Sequence, residues 1–233
     1  MLKESARHYK YGEDLKRGRT HKTFQYMSNN DVFKLTEDIC KVLIMSDIHS
    51  ATPFVVCDLV DSGVIDQETI ALTCGDMAGN GKMGGNADPI AEYKAILDAA
   101  HRFYFVQGNH DVYYKEALHL KNSDGTYCCV DGRLVNTPLG TITGVSGIIG
   151  NSNPELHIYD AVTYREKYRK AVALQPDILL THQPPPEPDV DKHKYTTPLI
   201  QICGHWHAED DAFQILHNGI LRINSDNRIL YIH

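Results

Sequence analysis

Five short clusters of acidic, imidazole and amide side chains could do chemistry in this sequence. Carboxylate, imidazole and amide groups form a hard or borderline set of ligands for divalent cations. One carboxylate has two oxygens and can bridge two cations, as a binuclear metal site requires. The candidate residues, in chain order, are Asp47 and His49, Asp76, Asn109 with His110 and Asp111, His182, and His205 with His207.

A short apolar run stands directly before each cluster and predicts a buried strand. The runs at residues 41–45, 69–74 and 102–107 precede the first three clusters. Helical patterns at 53–63 and 90–101 separate these runs. This strand–helix alternation indicates parallel pairing through crossover helices. Because every cluster directly follows a predicted strand, and α/β sheets bind ligands at the carboxyl ends of parallel strands, all five clusters are expected to converge on one edge of the fold.

The second half of the chain predicts a second sheet. Its first strands are expected to form a hairpin that turns at Asp131–Gly132, and residues 159–175 form a helical pattern that Pro176 ends. Two sheets with helices on their outer faces follow from this order of elements. Further short strands are predicted at 139–150, 177–181, 199–203, 212–216, 220–224 and 228–232.

The composition indicates one globular domain with reduced thiols. The 233 residues carry a formal net charge of -7, which argues against a general nucleic-acid binder. None of the six cysteines belongs to a C-x-x-C pair. That pattern favours buried thiols in a cytoplasmic protein over a disulfide framework. No apolar run approaches the ~18 residues of a membrane-spanning helix, so no membrane association is expected.

The first 40 residues differ from the rest of the chain. Basic side chains outnumber acidic ones there, and hydrophobic periodicity is weak. Residues 1–40 are therefore interpreted as a basic extension packed on or flanking the domain, which spans residues 41–233. A basic arm that binds nucleic acid or a partner protein is the alternative.

Along the chain, the clusters read D-x-H, G-D, G-N-H-[DE], H and G-H-x-H. The same motifs in the same order form the signature of the calcineurin-like metallophosphoesterase superfamily, which the sequence therefore resembles. The resemblance extends over residues 41–233. It implies an α/β fold, a four-layer α-β-β-α sandwich of two mixed sheets. It also implies a phosphoester hydrolase in which a metal-bridging hydroxide attacks phosphorus.

The resemblance also implies a role for each candidate residue. His110 would assist the leaving group beside the phosphate, with Asp111 as its partner. Two divalent ions are expected; manganese comes first, and iron, zinc and nickel tolerate the same ligands. One ion would be held by Asp47, His49, Asp76 and His207, and the other by Asp76, Asn109, His182 and His205.

Departures from the family pattern narrow the choice of branch within the superfamily. Protein serine/threonine phosphatases carry G-D-x-H-G, G-D-x-V-D-R-G and G-N-H-E, whereas this chain has S-D-I-H-S, G-D-M-A-G-N-G and G-N-H-D. That branch is therefore not expected. The substrate arginine of the D-R-G element has no counterpart. A glycine-rich loop, Gly79–Gly85, replaces it and either carries Lys82 toward a phosphate or is only a flexible loop.

Three functions stay open on the sequence. The first is hydrolysis of a phosphomonoester or phosphodiester, with a small nucleotide-like substrate. The second is a nuclease or phosphatase that acts on nucleic acid through the basic amino-terminal arm. The third is a protein-binding scaffold that has the fold without the chemistry. Trp206, between two candidate ligands, would either stack on a substrate or only wall the site. The sequence leaves the oligomeric state open.

Overall fold

The computed structural model describes residues 7–9, 21–27, 33, 41–78, 88–111, 116–184, 200–206, 212–216 and 219–232. Three α-helices lie in these ranges: α1 Thr52–Asp61, α2 Ile90–Ala99 and α3 Ala161–Ala173. The strands in the same ranges are β1 Arg7–Tyr9, β2 His21–Met27, β3 Lys41–Ser46, β4 Thr69–Thr73, β5 Arg102–Phe105, β6 Val135–Thr137, β7 Gly140–Val145, β8 Ile148–Ile149, β9 Ile158–Tyr159, β10 Ile178–Thr181, β11 Ile200–Cys203, β12 Phe213–Ile215, β13 Leu221–Asn224 and β14 Arg228–Ile232.

Two six-stranded mixed sheets make up the framework, as the sequence predicted. The first sheet has the order β1-β2-β14-β3-β4-β5, in which β3, β4 and β5 are parallel and β14 runs antiparallel to β3. The second has the order β12-β13-β11-β10-β7-β6, with four parallel inner strands and an antiparallel strand at each edge. The short strands β8 and β9 form a separate parallel pair.

The inner faces of the two sheets pack against each other. Alternate residues of β3, such as Ile44, meet alternate residues of the second sheet, such as Leu180 and Ile202, in one buried apolar cluster. Because successive side chains of a strand point to opposite faces, the residues between them pack outward. Leu43 lies under α1 and α2, and Leu179 lies under α3. The layers are therefore helix, sheet, sheet and helix.

The helices lie where the sequence predicted them. The helix α3 begins directly after Asp160, whose carboxylate accepts hydrogen bonds from the N–H groups of Val162 and Thr163 at 2.9 Å. This N-cap satisfies donors that have no partner within the helix. None of the helices in the described part of the chain combines the length and the apolar character needed to cross a lipid bilayer.

The prediction of a hairpin that turns at Asp131–Gly132 is wrong. Cys129 bridges to Phe105 of the first sheet, and Asp131 bridges to Gly144 of the second. The segment therefore crosses from one sheet to the other instead of folding back on itself. It does so because β6 covers only the first half of β7, so the second half keeps an open edge. The hairpin of this region joins β6 to β7.

The first sheet extends into the segment before Lys41, where the sequence predicted no strand. The strand β2 lies between β1 and β14 and pairs with β14 in parallel. The strand β1 pairs with β2 in antiparallel. The boundary between an extension and a domain at residue 41 stays a prediction.

The packing between the sheets leads to a first prediction. Ile202→Ala removes a fully buried side chain between the sheets and should lower the free energy of unfolding by about 2–5 kcal/mol. Ile215→Ala removes the same atoms where the residue is 81% exposed and should change it by less than about 0.5 kcal/mol. Urea denaturation measures both. Equal losses in the two variants would contradict this packing of the sheets.

Candidate metal centre

The candidate residues stand at the carboxyl ends of strands from both sheets. In the first sheet, Asp47 follows β3, Asp76 follows β4 and Asn109 follows β5. In the second sheet, His182 follows β10 and His205 follows β11. Since the two sheets pack face to face, these ends meet at one edge of the sandwich, as the sequence predicted.

Four of the candidates form a compact group, the four-residue cluster of Asp47, Asp76, His182 and His205. One ligand atom from each lies within 4.8 Å of all the others. The first three side chains are buried and His205 is half-buried. Two carboxylates and two imidazoles at this spacing could hold a divalent metal ion.

Glycines next to the cluster permit this close approach. A Cβ atom on Gly108 would overlap the carboxylate of Asp76, and one on Gly204 would overlap the carboxylate of Asp47. Each glycine therefore lets an acid of a neighbouring strand end pack directly against the backbone. A side chain at either position would push the two ends apart.

The backbone at the strand ends adopts a conformation that is uncommon for residues with side chains. Asp47, His49, Asp76 and His205 all have φ between 52° and 58°. Such left-handed residues cost of order 1–3 kcal/mol each and persist only where the surrounding structure enforces them. Their concentration here indicates that the fold holds these side chains in place against a local preference.

The two carboxylate oxygens of Asp47 differ. One accepts hydrogen bonds, and the other, called the open oxygen, accepts none from the described residues. Its Oδ2 accepts hydrogen bonds from the backbone N–H of His205 at 3.0 Å and from the hydroxyl of Ser46. Its Oδ1 is buried and has no hydrogen-bond partner among the described residues. Burial raises the pKa of Asp47 to about 8; His182 opposes the rise, and Asp76 and Asp226 add to it.

His182 is oriented as a metal ligand would be. Its Nδ1 donates a hydrogen bond to the carbonyl oxygen of Cys74 at 2.8 Å, which fixes the ring and directs Nε2 at the cluster. Nε2 lies 3.4 Å from Oδ2 of Asp76 and 3.2 Å from Oδ1 of Asn109. Burial alone would lower the pKa of His182, but Asp76 and Asp47 raise it to about 10.

Asp76 lies close to three imidazole side chains, those of His182, His49 and His110. Its Oδ1 accepts a hydrogen bond from the backbone N–H of His110 at 2.8 Å, and its Oδ2 lies 3.9 Å from Nε2 of the same residue. Burial alone would raise the pKa of Asp76, but the imidazoles of His182, His49 and His110 hold it well below its usual range. A proton on His182 thus balances the charge of Asp76, as a bound cation also would.

His49 and His110 stand beside the cluster. Their rings make an edge-to-face contact with centroids 5.0 Å apart. Nδ1 of His49 lies 3.3 Å from the carbonyl oxygen of Ala78, and burial lowers the pKa of His49. The side chain of His110 is 30% exposed, so one side of the ring is accessible from solvent.

Asp111 has partners other than the predicted one. Its Oδ2 accepts hydrogen bonds from the N–H groups of Asp76 at 2.7 Å and Gly108 at 2.8 Å, and its Oδ1 accepts one from Ala78 at 2.9 Å. Burial raises the pKa of Asp111, and the charge of Asp76 adds to the rise, while these backbone donors oppose it. The carboxylate therefore ties the loop after β4 to the loop after β5. Within the residues that the structure describes, it makes no hydrogen bond with the ring of His110.

Some predicted residues lie outside the described part of the chain, and some contributors were not predicted. His207, Lys82 and the loop Gly79–Gly85 belong to the first group. Ser46 and the carbonyl of Cys74 belong to the second, together with Asp226. A carbonyl carries no sequence signal because every residue has one. Ser46 was visible only as the neighbour of a candidate ligand.

The chemistry of the cluster fits a divalent cation. A buried carboxylate oxygen without a hydrogen-bond donor is costly unless a positive charge faces it, and Oδ1 of Asp47 is such an atom among the described residues. The imidazole Nε2 of His182 belongs to the same cluster and lies 3.4 Å from Oδ2 of Asp76. These groups could hold a metal ion, and the structure itself favours no particular element.

The comparison with family models supports the same chemistry. A model described as calcineurin-like phosphoesterase matches residues 40–209. The matched segment contains every candidate ligand. A comparison with curated protein sequences finds no match.

Several solved structures resemble the fold. The NAD nucleotidase NadN of Haemophilus influenzae has 14% sequence identity and a TM-score of 0.43, over 83% of this chain and 44% of that one. The phosphopantetheinyl hydrolase PptH of Mycobacterium tuberculosis has 11% identity and a TM-score of 0.47, over 81% and 89%. A hypothetical protein from Thermus thermophilus has 15% identity and a TM-score of 0.49, over 79% and 75%. This chain thus spans less than half of the NadN chain.

The central position of Asp76 leads to a second prediction. Asp76→Asn keeps the shape but removes the charge that faces His182, so the variant should retain less than a tenth of the Mn²⁺ or Zn²⁺ of the parent protein. Metal that binds only the folded state raises its stability, so the variant should also lose the rise in melting temperature on metal addition. Asp58→Asn, at an exposed position of α1, is the matched control. Equal metal content in both variants would contradict the site.

Proposed function

The chain belongs to the calcineurin-like phosphoesterase family, and we propose that it is a phosphoester hydrolase that cleaves a small nucleotide-like phosphoester with two divalent cations at the four-residue cluster. The observation that carries this proposal is the convergence of Asp47, Asp76, His182 and His205 within 4.8 Å. The open oxygen of Asp47 supports it further. Family membership favours this activity over the scaffold hypothesis.

The proposed ligands are the two sets implied by the sequence. Asp47, His49, Asp76 and His207 would hold one cation, and Asp76, Asn109, His182 and His205 the other. The contact of Asn109 with His182 supports the second set. Manganese is the first expectation, because oxygen and imidazole ligands without thiolate suit it.

Asp76, His110 and Asp111 each have a separate role in the proposed reaction. When bound, divalent cations neutralise phosphate charge and lower the pKa of a water molecule that attacks phosphorus. Asp76 positions His110 by accepting its backbone N–H. His110 then donates a proton to the departing oxygen from a ring that solvent and substrate can reach. Asp111 acts as a positioning residue because it fixes the two loops that carry Asp76 and His110.

The thiols support a cytoplasmic location, which is also a proposal. The five cysteines in the described part of the chain are all free, and four of them are buried. Burial raises the pKa values of Cys128, Cys129 and Cys203 to about 12. Such thiols are protonated near neutral pH and are suited to a reducing compartment.

A panel of phosphoesters tests the function directly. p-Nitrophenyl phosphate, its bis ester, nucleoside monophosphates, cyclic nucleotides and dinucleoside polyphosphates would each be assayed with Mn²⁺, Zn²⁺, Ni²⁺ and Fe²⁺. We expect metal-dependent release of product from at least one nucleotide, abolished by a chelator. Hydrolysis that persists without metal, or no hydrolysis with any metal, would contradict the proposal.

The exposed ring of His110 leads to a third prediction. His110→Ala should lower kcat by about 10²–10⁴-fold, because a positioned general acid contributes that much. The bound metal content should stay unchanged. His119→Ala, at an exposed position after β5, is the control and should keep full kcat. Full activity of His110→Ala on a substrate with a poor leaving group would refute its proposed role.

The hydrogen bonds of Asp111 lead to a fourth prediction. Asp111→Asn places an amide donor against backbone N–H groups, so the two loops should separate. Metal affinity should fall by about 10–100-fold, as it does when groups that orient metal ligands are replaced. This loss distinguishes a positioning residue from a proton-transfer partner of His110, since the latter would leave metal affinity intact. Asp98→Asn, at an exposed position of α2, should bind metal normally.

A further inference from the structure

The carboxyl end of β7 lies at the same edge of the sandwich as the four-residue cluster. The strand β7 runs parallel to β10, with Val145 paired to Thr181 at the last position of each strand. The carbonyl oxygen of Val145 accepts a hydrogen bond from the backbone N–H of His182 at 3.2 Å. The end of β7 is therefore bonded directly to the backbone of a proposed metal ligand.

The two residues after β7, Ser146 and Gly147, join this strand end to the loop that carries His110. Oγ of Ser146 accepts a hydrogen bond from the backbone N–H of Gln107 at 3.0 Å. The N–H of Gly147 donates one to the carbonyl oxygen of Gln107 at 2.9 Å. Gln107 is followed by Gly108, which packs against a carboxylate of the cluster. The end of β7 thus fixes the start of the loop that follows β5.

Asp131 holds Ser146 from the other side. Its Oδ1 accepts a hydrogen bond from the backbone N–H of Ser146 at 3.1 Å. Its Oδ2 accepts one from Nζ of Lys167, on α3, also at 3.1 Å. Each carboxylate oxygen therefore has its own partner, and the single side chain of Asp131 ties the end of β7 to α3.

Lys167 is a charged and well-held partner for Asp131. Its side chain is 29% exposed, and its Nζ lies 4.6 Å from the ring centroid of Tyr159. Burial alone would lower the pKa of Lys167, but Asp131 and Tyr159 raise it. A hydrogen bond between charged groups is stronger than a neutral one, and the aromatic face attracts the same cation. These contacts fix Asp131 relative to α3.

His157 lies within electrostatic range of both this ion pair and the four-residue cluster. Burial lowers the pKa of its ring; Asp131 and Asp76 raise it, and Lys167 and His182 lower it further. Because the effect of a charge falls with distance, the ion pair and the cluster both lie close to this one ring. The hydrogen bonds through Ser146 therefore span a short path.

From these contacts we propose that Asp131 and Lys167 are positioning residues of the reaction. Through Ser146 they hold in place the loop that carries His110, so that its ring can donate a proton to the departing oxygen. The proposal rests on the proposed function, because His110 has this role only there. It gives α3 a part in the geometry of a site to which this helix contributes no ligand.

Hydrogen exchange tests the linkage without any turnover. Lys167→Met removes the ammonium group and keeps an unbranched side chain over Tyr159. In the metal-loaded variant, the backbone N–H groups of Gln107 and Ser146 should exchange at least about tenfold faster than in the parent, because their loop opens more often. The N–H of Ile44, in the core of the first sheet, should be unaffected. NMR follows each amide separately.

The same helix offers a matched control for this variant. Lys170 also lies on α3 and forms an ion pair with Glu166 at 2.7 Å, but its side chain is 76% exposed and the pair does not involve β7. Lys170→Met should leave the exchange of Gln107 and Ser146 unchanged. Unchanged exchange in Lys167→Met, or equal acceleration at Ile44, would overturn the proposal.

Kinetics test the role in catalysis. Lys167→Met should lower kcat for an alkyl phosphoester by about tenfold, because a small misplacement of a catalytic group costs up to about 10²-fold. The p-nitrophenyl ester needs little protonation of its leaving group, so its kcat should stay within a factor of about two. KM and bound metal should not change, and Lys170→Met should alter neither ester. Equal losses on the two esters would indicate damage to the whole site and would overturn the proposal.

A second variant covers the case in which Lys167→Met fails to fold. Asp131→Asn keeps the shape of the side chain and an acceptor for Ser146 but removes the charge that faces Lys167. We expect a smaller loss of kcat, about threefold, on the alkyl ester alone. Equal losses on both esters, or none, would overturn the proposal. If the parent hydrolyses neither ester with any metal, the proposed function fails first, and the exchange of Gln107 still decides whether Asp131 and Lys167 hold the loop.

Discussion

Buried negative charge at the junction of two sheets is the constraint on which the rest of this structure depends. Asp47 and Asp76 are withdrawn from water beside one another, and their mutual repulsion has to be offset by positive charge. In the protein alone, a proton on His182, whose pKa is raised to about 10, offsets the charge of Asp76, while burial raises the pKa of Asp47 to about 8 and favours its neutral form near pH 7. A divalent cation would replace this proton and also meet the open oxygen of Asp47. The arrangement is costly for an apolar core and appropriate for a metal centre.

The fold meets this constraint by bringing together strand ends that are far apart in the chain. Gly108 and Gly204 allow the acids of neighbouring strand ends to approach the backbone. Asp111 then joins the loops after β4 and β5 through three backbone hydrogen bonds. Two sheets packed face to face, each with a set of adjacent parallel strands, place these ends at one edge. The architecture is thus the means by which ligands from residues 47 to 205 become neighbours.

Much of this could be predicted from sequence because the relevant signals are local. Apolar runs followed by ligand residues predicted the strands β3, β4 and β5, their parallel pairing and the edge of the fold at which Asp47, Asp76 and His182 meet. Strand and hydrogen-bond partners that depend on tertiary contacts could not be predicted in the same way. The pattern around Asp131–Gly132 matches a hairpin turn, and only the open edge of β7 makes it a crossing between sheets. Adjacency favoured His110 as the partner of Asp111, whereas the three backbone donors lie on loops brought close by folding.

We propose that strand ends of both sheets hold two cations around Asp76. Anomalous diffraction from crystals grown with Mn²⁺ tests it most directly, because each bound ion gives its own peak. We expect two peaks that share the carboxylate of Asp76, one of them against Oδ1 of Asp47 and the other against Nε2 of His182. Peaks elsewhere on the molecule, or none at this edge at saturating Mn²⁺, would contradict it.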